Sequence, residues 1–110
     1  MATGLLGKAA LAATTYTAVA TVTAGKTATA NIRLVNRDTV NALTIRLAIC
    51  PPGYTAPAVP ALADYIEPLD LVLPAGGVLE ETAIVMSSGE VVVAYASAAT
   101  VTVRVHGFET

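Results

Sequence analysis

The chain is 110 residues long, 55% hydrophobic and 13% charged, with a formal net charge of −2. That length holds one domain of roughly 100–200 residues and no second, and so apolar a composition excludes a disordered chain, which is poor in apolar residues and rich in charge. The six basic residues are scattered as Lys8, Lys26, Arg33, Arg37, Arg46 and Arg104, without the clustered footprint expected of a nucleic-acid binder, and no run of about 18 apolar residues fits a transmembrane helix.

Residues 1–13 are rich in Ala, Leu and Gly. Lys8 interrupts their apolar run, which spoils the apolar core of about 7–15 residues that a signal peptide needs, so no cleavage is expected. This segment reads as an N-terminal arm, either extended or a short helix, with the Ala content favouring helix. Residues 15–22 read as a strand, and Thr23-Ala24-Gly25-Lys26 as the turn that ends it.

Alternation marks a half-buried strand over 27–36, where Ala28, Ala30, Ile32 and Leu34 share one face and Thr27, Thr29, Asn31 and Arg33 the other. It repeats over 41–50, with Leu43, Ile45, Leu47 and Ile49 inward and Thr44 and Arg46 outward. Asn36-Arg37-Asp38-Thr39 has turn composition, so these two strands are expected to form a hairpin. Residues 51–60 hold four prolines, Pro51, Pro52, Pro57 and Pro60, which cannot donate to a ladder and mark an ordered surface loop.

Strands follow at 70–73, 78–86 and 90–96, separated by Pro74-Ala75-Gly76-Gly77 and Ser87-Ser88-Gly89. Val101, Val103 and Val105 then alternate with Thr102, Arg104 and His106 in a last strand. No helical period persists over about 11 residues. The expectation is an all-β chain, an antiparallel β-sandwich of Ig-like or jelly-roll type with about seven to eight short strands, built from residues 14–110 behind the arm at 1–13. Its inter-sheet core comprises Ile32, Leu34, Leu43, Ile45, Leu47, Ile49, Val101, Val103 and Val105.

Chemistry-bearing motifs are few. Gly25-Lys26-Thr27 has the ending of a phosphate-binding loop, but Ala20 stands where its first glycine belongs and a strand follows instead of a helix, so it reads as a turn. Asp64, Glu67 and Asp70 flank Pro68 without the further oxygen ligands and sharp-turn glycine of a calcium loop; they read as solvated loop residues. His106, the single histidine, cannot build a triad or a three-ligand metal site with Cys50, the single cysteine. His106 reads as an exposed or interface residue. Cys50 reads as a buried free thiol, with an intermolecular disulfide or partner contact as its rival. No catalytic, cofactor-binding or metal residues are expected.

The string Ala-Gly-Lys-Thr-Ala-Thr-Ala-Asn-Ile-Arg-Leu-Val-Asn-Arg from Ala24, the following Leu-Thr-Ile-Arg-Leu-Ala-Ile ending at Ile49, Ala63-Asp64-Tyr65-Ile66-Glu67, and Leu73-Pro74-Ala75-Gly76-Gly77-Val78-Leu79-Glu80 resemble a group of small structural proteins of tailed bacteriophages. So does the ending Val101-Thr102-Val103-Arg104-Val105-His106-Gly107-Phe108-Glu109. The resemblance covers nearly the whole chain after residue 4 and is one of strand and turn pattern. Where that group leads one to expect Val-Pro-Ala-Gly-Lys, this chain has Val22-Thr23-Ala24-Gly25-Lys26, a less rigid turn. The resemblance implies a non-enzymatic virion component, assembled in the host cytoplasm. It would be a capsid decoration or cement protein on the major capsid protein, or a protein associated with the tail or its fibres. A receptor- or carbohydrate-binding module is the alternative of another class; its stacking residues would have to come from Tyr16, Tyr54, Tyr65, Tyr95 and Phe108.

Ala, Thr and Val supply 51 of the 110 residues, so the core is thin and self-association with neighbouring copies is expected to stabilise it. The arm, through Leu5, Leu6 and Leu11, and the proline loop, through Tyr54, Pro57 and Pro60, are the expected contact residues. The competing expectation is that arm and loop pack on their own sandwich.

Overall fold

The computed structural model describes residues 3–110. Among these, eight strands follow one another: β1 (Thr3–Ala10), β2 (Thr17–Thr21), β3 (Ala28–Asn36), β4 (Leu43–Cys50), β5 (Leu71–Leu73), β6 (Val78–Met86), β7 (Val91–Ala96) and β8 (Val101–Glu109). A single 3₁₀ turn at Leu62–Asp64 interrupts the long connection between β4 and β5. The first sheet has the order β1-β8-β3-β6 and the second β2-β7-β4-β5. The antiparallel partners β1 with β8, β2 with β7, β3 with β6 and β4 with β5 make one long two-stranded ribbon. Folding that ribbon over, so that β3 also pairs β8 and β4 pairs β7, produces the jelly roll. The Ig-like variant of the expected sandwich is thereby set aside.

The two alternating patterns do what their period demands. Ile32 and Leu34 on β3, Ile45 and Leu47 on β4, and Val101, Val103 and Val105 on β8 have no exposed surface, and Leu43 is buried beside them. Ile49 is half-buried against the same core. Ala28, Ala30, Ala94 and Ala96 fill further inward positions, and such short side chains let the sheets approach closely. The molecule measures 42 × 27 × 19 Å, its short dimension holding two sheets about 10 Å apart with little to spare.

The expected hairpin of β3 and β4 does not form: the two strands lie in opposite sheets. Alternation reports which face of a strand is apolar and is silent on its ladder partner, and here the two apolar stripes cover one another across the core. The link between the sheets is held by the buried Asn36. Its amide donates to the carbonyls of Asn41 (3.0 Å) and Pro74 (3.1 Å), and its Oδ1 accepts from Asp38 N (3.0 Å) and Thr100 Oγ1 (3.0 Å). Asp38 in turn accepts the N–H groups of Val40 and Asn41, which hold its carboxyl below the usual carboxylate range.

The expected arm is neither a helix nor free. Met1 and Ala2 lie outside the described residues, and from Thr3 the segment pairs with β8 as an edge strand of the first sheet. A register shift between Leu5 and Gly7 breaks the alternation that would have marked it as a strand. Leu6 packs against the core, and Leu11 is 2% exposed and part of it. Gly7 faces β2 so closely that a Cβ there would lie 2.8 Å from that of Ala20, which closes this side of the sandwich.

Candidate interaction surfaces

The outer faces of the two sheets differ in kind. Over the second sheet, Ala48 and Cys50 of β4 and Val91 and Val93 of β7 are covered by Tyr16, Tyr54, Tyr65 and Tyr95. This places all four tyrosines of the chain in one layer. The Tyr16 hydroxyl sits 2.7 Å from that of Tyr65 and accepts from Arg46 Nη1 at 2.8 Å. Tyr16 and Tyr95 stack at a tilt with centroids 4.7 Å apart, and the Arg46 guanidinium lies 4.9 Å above the Tyr95 ring. Arg46 also grips Asp70 with two hydrogen bonds, Nε to Oδ1 at 2.9 Å and Nη2 to Oδ2 at 3.2 Å.

Asp70 first and Tyr16 second hold Arg46 more firmly protonated, and the same Arg46 bond draws the Asp70 carboxyl below its ordinary value. Burial first, then the bond to Tyr16, pushes Tyr65 up to about 12. Cys50 has no exposed surface; burial, aided by Asp64, pushes its thiol up. The backbone of Tyr65 bridges Ala48, and Ile66 N donates to the Leu47 carbonyl. The connection of residues 51–70 is thus strapped to its own sheet.

The outer face of the first sheet carries no such cover. Its outward side chains stand in cross-strand rows. Lys8, Arg104, Arg33 and Glu80 make one row across all four strands. Leu5, His106 and Asn31 make the next, closed by the β6 bulge where Ala83 N donates to Asn31 Oδ1. Thr3, Phe108, Thr29 and Val85 make the row beyond. Half of the six cations of the chain, scattered in sequence, therefore stand side by side. Arg33 pairs with Glu80 at 3.2 Å, and Arg104 Nε donates to His106 Nε2 at 3.3 Å. Phe108 is 48% and Val85 69% exposed. A shallow open depression lies between Lys8, Ala9, Ala10, Thr102 and Arg104.

Of the expected contact residues, Leu5 and Pro57 are exposed. Leu6 packs against the core and Leu11 lies within it; Pro60 is buried in its own chain, and Tyr54 packs half-buried over the cysteine layer. Leu11, just past the end of β1, and Pro60, at the base of its loop, thus bury themselves on their own sandwich. The exposed large apolar side chains of the connection and of β5 are Val59, Leu62, Ile66, Leu69 and Val72. Alternation alone turns Arg33 and Arg104 outward; their adjacency depends on the β3–β8 register.

A cleft between β1 and β2, lined by Leu5, Leu6, Ala20, Met86 and Glu109, has a volume of about 110 Å³, below the roughly 300–1,000 Å³ of a small-molecule site. At its floor Glu109 accepts from Thr23 N (2.8 Å) and Thr23 Oγ1 (2.9 Å), tying β8 to the β2–β3 turn. That turn is where Gly25-Lys26-Thr27 lies, with Gly25 at φ 79°. Among the described residues, no helix is long and apolar enough to cross a membrane, and no three His, Cys, Asp or Glu side chains group as a metal site. No protein-family model, curated protein or solved structure matches the chain.

Proposed function

We propose that this chain is a non-enzymatic structural component of a tailed-bacteriophage particle, a decoration or cement protein that reinforces the head by docking on the major capsid protein. The observation that carries the reading is the contrast between the two sheets: one outer face sealed by the chain's own tyrosine layer, the other bare and lined with Lys8, Arg33, Arg104, Leu5, Phe108 and Val85. A bare sheet mixing cations with exposed apolar side chains suits docking on a protein surface. The strand-and-turn resemblance to phage structural proteins supplies the kind of particle. Tyr16, Tyr65 and Tyr95, which a sugar-binding module would present for stacking, are engaged with Arg46 and with one another, and the Tyr54 hydroxyl donates to the Ala58 carbonyl.

Particles assembled without the protein should form and then lose resistance to heat or osmotic shock, and adding the purified protein should restore it. Unchanged particle stability with lost host adsorption would replace this reading with a tail or receptor-binding role. Particles indifferent to the protein in both assays would refute it.

A further inference from the structure

The cation row on the bare face sets like charges against one another. Lys8 of β1 stands directly across from Arg104 of β8, and Arg104 directly across from Arg33 of β3. Glu80 pairs with Arg33 at the far end of the row, whereas among the described residues Lys8 and Arg104 form no ion pair. His106 accepts a hydrogen bond from Arg104 Nε, 3.3 Å away, but brings no negative charge. Like charges directly opposite one another destabilise a sheet. The sandwich therefore carries a repulsion that its own side chains leave unrelieved, on a chain whose net charge is −2.

The shallow depression lies at the unrelieved end of this row, between Lys8 and Arg104, with Ala9, Ala10 and Thr102 as its other walls. A carboxylate that enters it meets an ammonium, a guanidinium and a hydroxyl, all hydrogen-bond donors. Leu5, 43% exposed, and Phe108 stand in the rows beyond, where they add apolar area to the same contact. Three cations, one of them already paired, interleaved with apolar side chains suit a protein surface better than a phosphate backbone, which calls for a larger basic footprint.

We propose that the bare face is anchored by an aspartate or glutamate of the partner protein, whose carboxylate seats between Lys8 and Arg104, so that the capsid surface beneath this face is acidic. This contact rests on the docking role of the face and gives the chemistry of what the face meets. The repulsion within the row weakens the free chain and is relieved when the carboxylate arrives. Lys8 and Arg104 thus serve docking at the expense of stability.

Particles assembled without the protein, mixed with the purified full chain and pelleted, test the contact, with unfolding midpoints measured alongside. Wild-type docking is expected to weaken as salt rises and screens the charges. Lys8→Gln and Arg104→Gln should each dock about tenfold more weakly through the lost charge pairing. In low salt both should unfold at a midpoint no lower than that of wild type, because the row no longer repels itself. Lys26→Gln, which removes the same charge from the turn between β2 and β3, should dock like wild type. A second arm needs no particle: in NMR titrations of the wild-type chain, a tetraglutamate peptide is expected to shift the amide signals of Lys8, Thr102 and Arg104, and a tetraglutamine peptide is not.

Variants at Lys8 and Arg104 that lose stability and docking together would overturn the proposal and mark the row as part of the fold. A tetraglutamate titration without shifts, equal shifts with inorganic phosphate, or a stronger response to oligothymidylate would each overturn it too, the last by assigning the face to nucleic acid. Particles that take up Lys8→Gln and Arg104→Gln as readily as wild type would overturn the acidic contact and leave the particle role standing. Particles indifferent to the protein, with the peptide shifts as expected, would do the reverse.

Discussion

Gly7 of β1 sets its bare α-carbon against the carbonyl oxygen of Val19 in β2, across the seam between the two sheets. No side chain fits there, and the closeness is what lets successive strands of the folded ribbon pass from one sheet to the other without leaving a gap. Gly7→Ala is therefore expected to push β1 off β2 and to cost about 1–3 kcal/mol by overpacking. Urea denaturation monitors the loss, and an unchanged midpoint would show that the seam can open without penalty.

Asn36 uses all four of its side-chain hydrogen bonds at 1% exposure. Replacing it with Leu leaves the carbonyls of Asn41 and Pro74 and the Asp38 N–H short of partners, at a cost of about 1–3 kcal/mol for each group that stays buried and unpaired. Thr100→Val removes a single bond and should cost about 1 kcal/mol. The ordering of the two unfolding midpoints, Asn36→Leu far below Thr100→Val, is the expected outcome.

Ile45 and Leu47 have no exposed surface and face the opposite sheet. Truncation to Ala at either position should cost about 2–5 kcal/mol through lost burial and the cavity that remains. Val72→Ala, on the outer side of β5 at 62% exposure, should change stability by less than about 0.5 kcal/mol. Guanidinium unfolding of the three variants separates the faces.

Tyr65 titrates at about 12 in the folded chain against a reference of 10.0. Its folded value is raised, so its contribution to stability is complete below pH 10 and is lost as pH climbs through 12. Tyr65→Phe cannot ionise. Its stability should therefore fall less than that of wild type across this alkaline window, although it starts lower at neutral pH for want of the bond to Tyr16. Parallel loss in both proteins would show that Tyr65 ionisation does not drive the alkaline transition.

The sandwich, its strand positions from β2 onward and most of its core were legible because period two is local: Ile32 and Leu34, or Val101 and Val103, announce a buried face within a few residues. The first strand escaped notice because the shift between Leu5 and Gly7 breaks that period where it is shortest. The bare face escaped for a different reason. Lys8, Arg33, Glu80 and Arg104 come from four strands, and each is unremarkable in its own segment.

By itself, the sequence determined that the chain folds as all-β layers, which side of β3, β4 and β8 turns inward, and where Gly25, Gly76 and Gly89 let it turn. These follow from side-chain alternation and backbone sterics, which act between near neighbours. Only the tertiary structure decided that β3 and β4 part into opposite sheets, that Leu11 and Pro60 bury themselves, and that Lys8, Arg33 and Arg104 stand side by side on one face. Ladder partners and cross-strand rows depend on which distant strands meet and in what register. That choice is made by the burial and hydrogen bonding of the whole ribbon at once, with Asn36 at its fold and Gly7 at its seam.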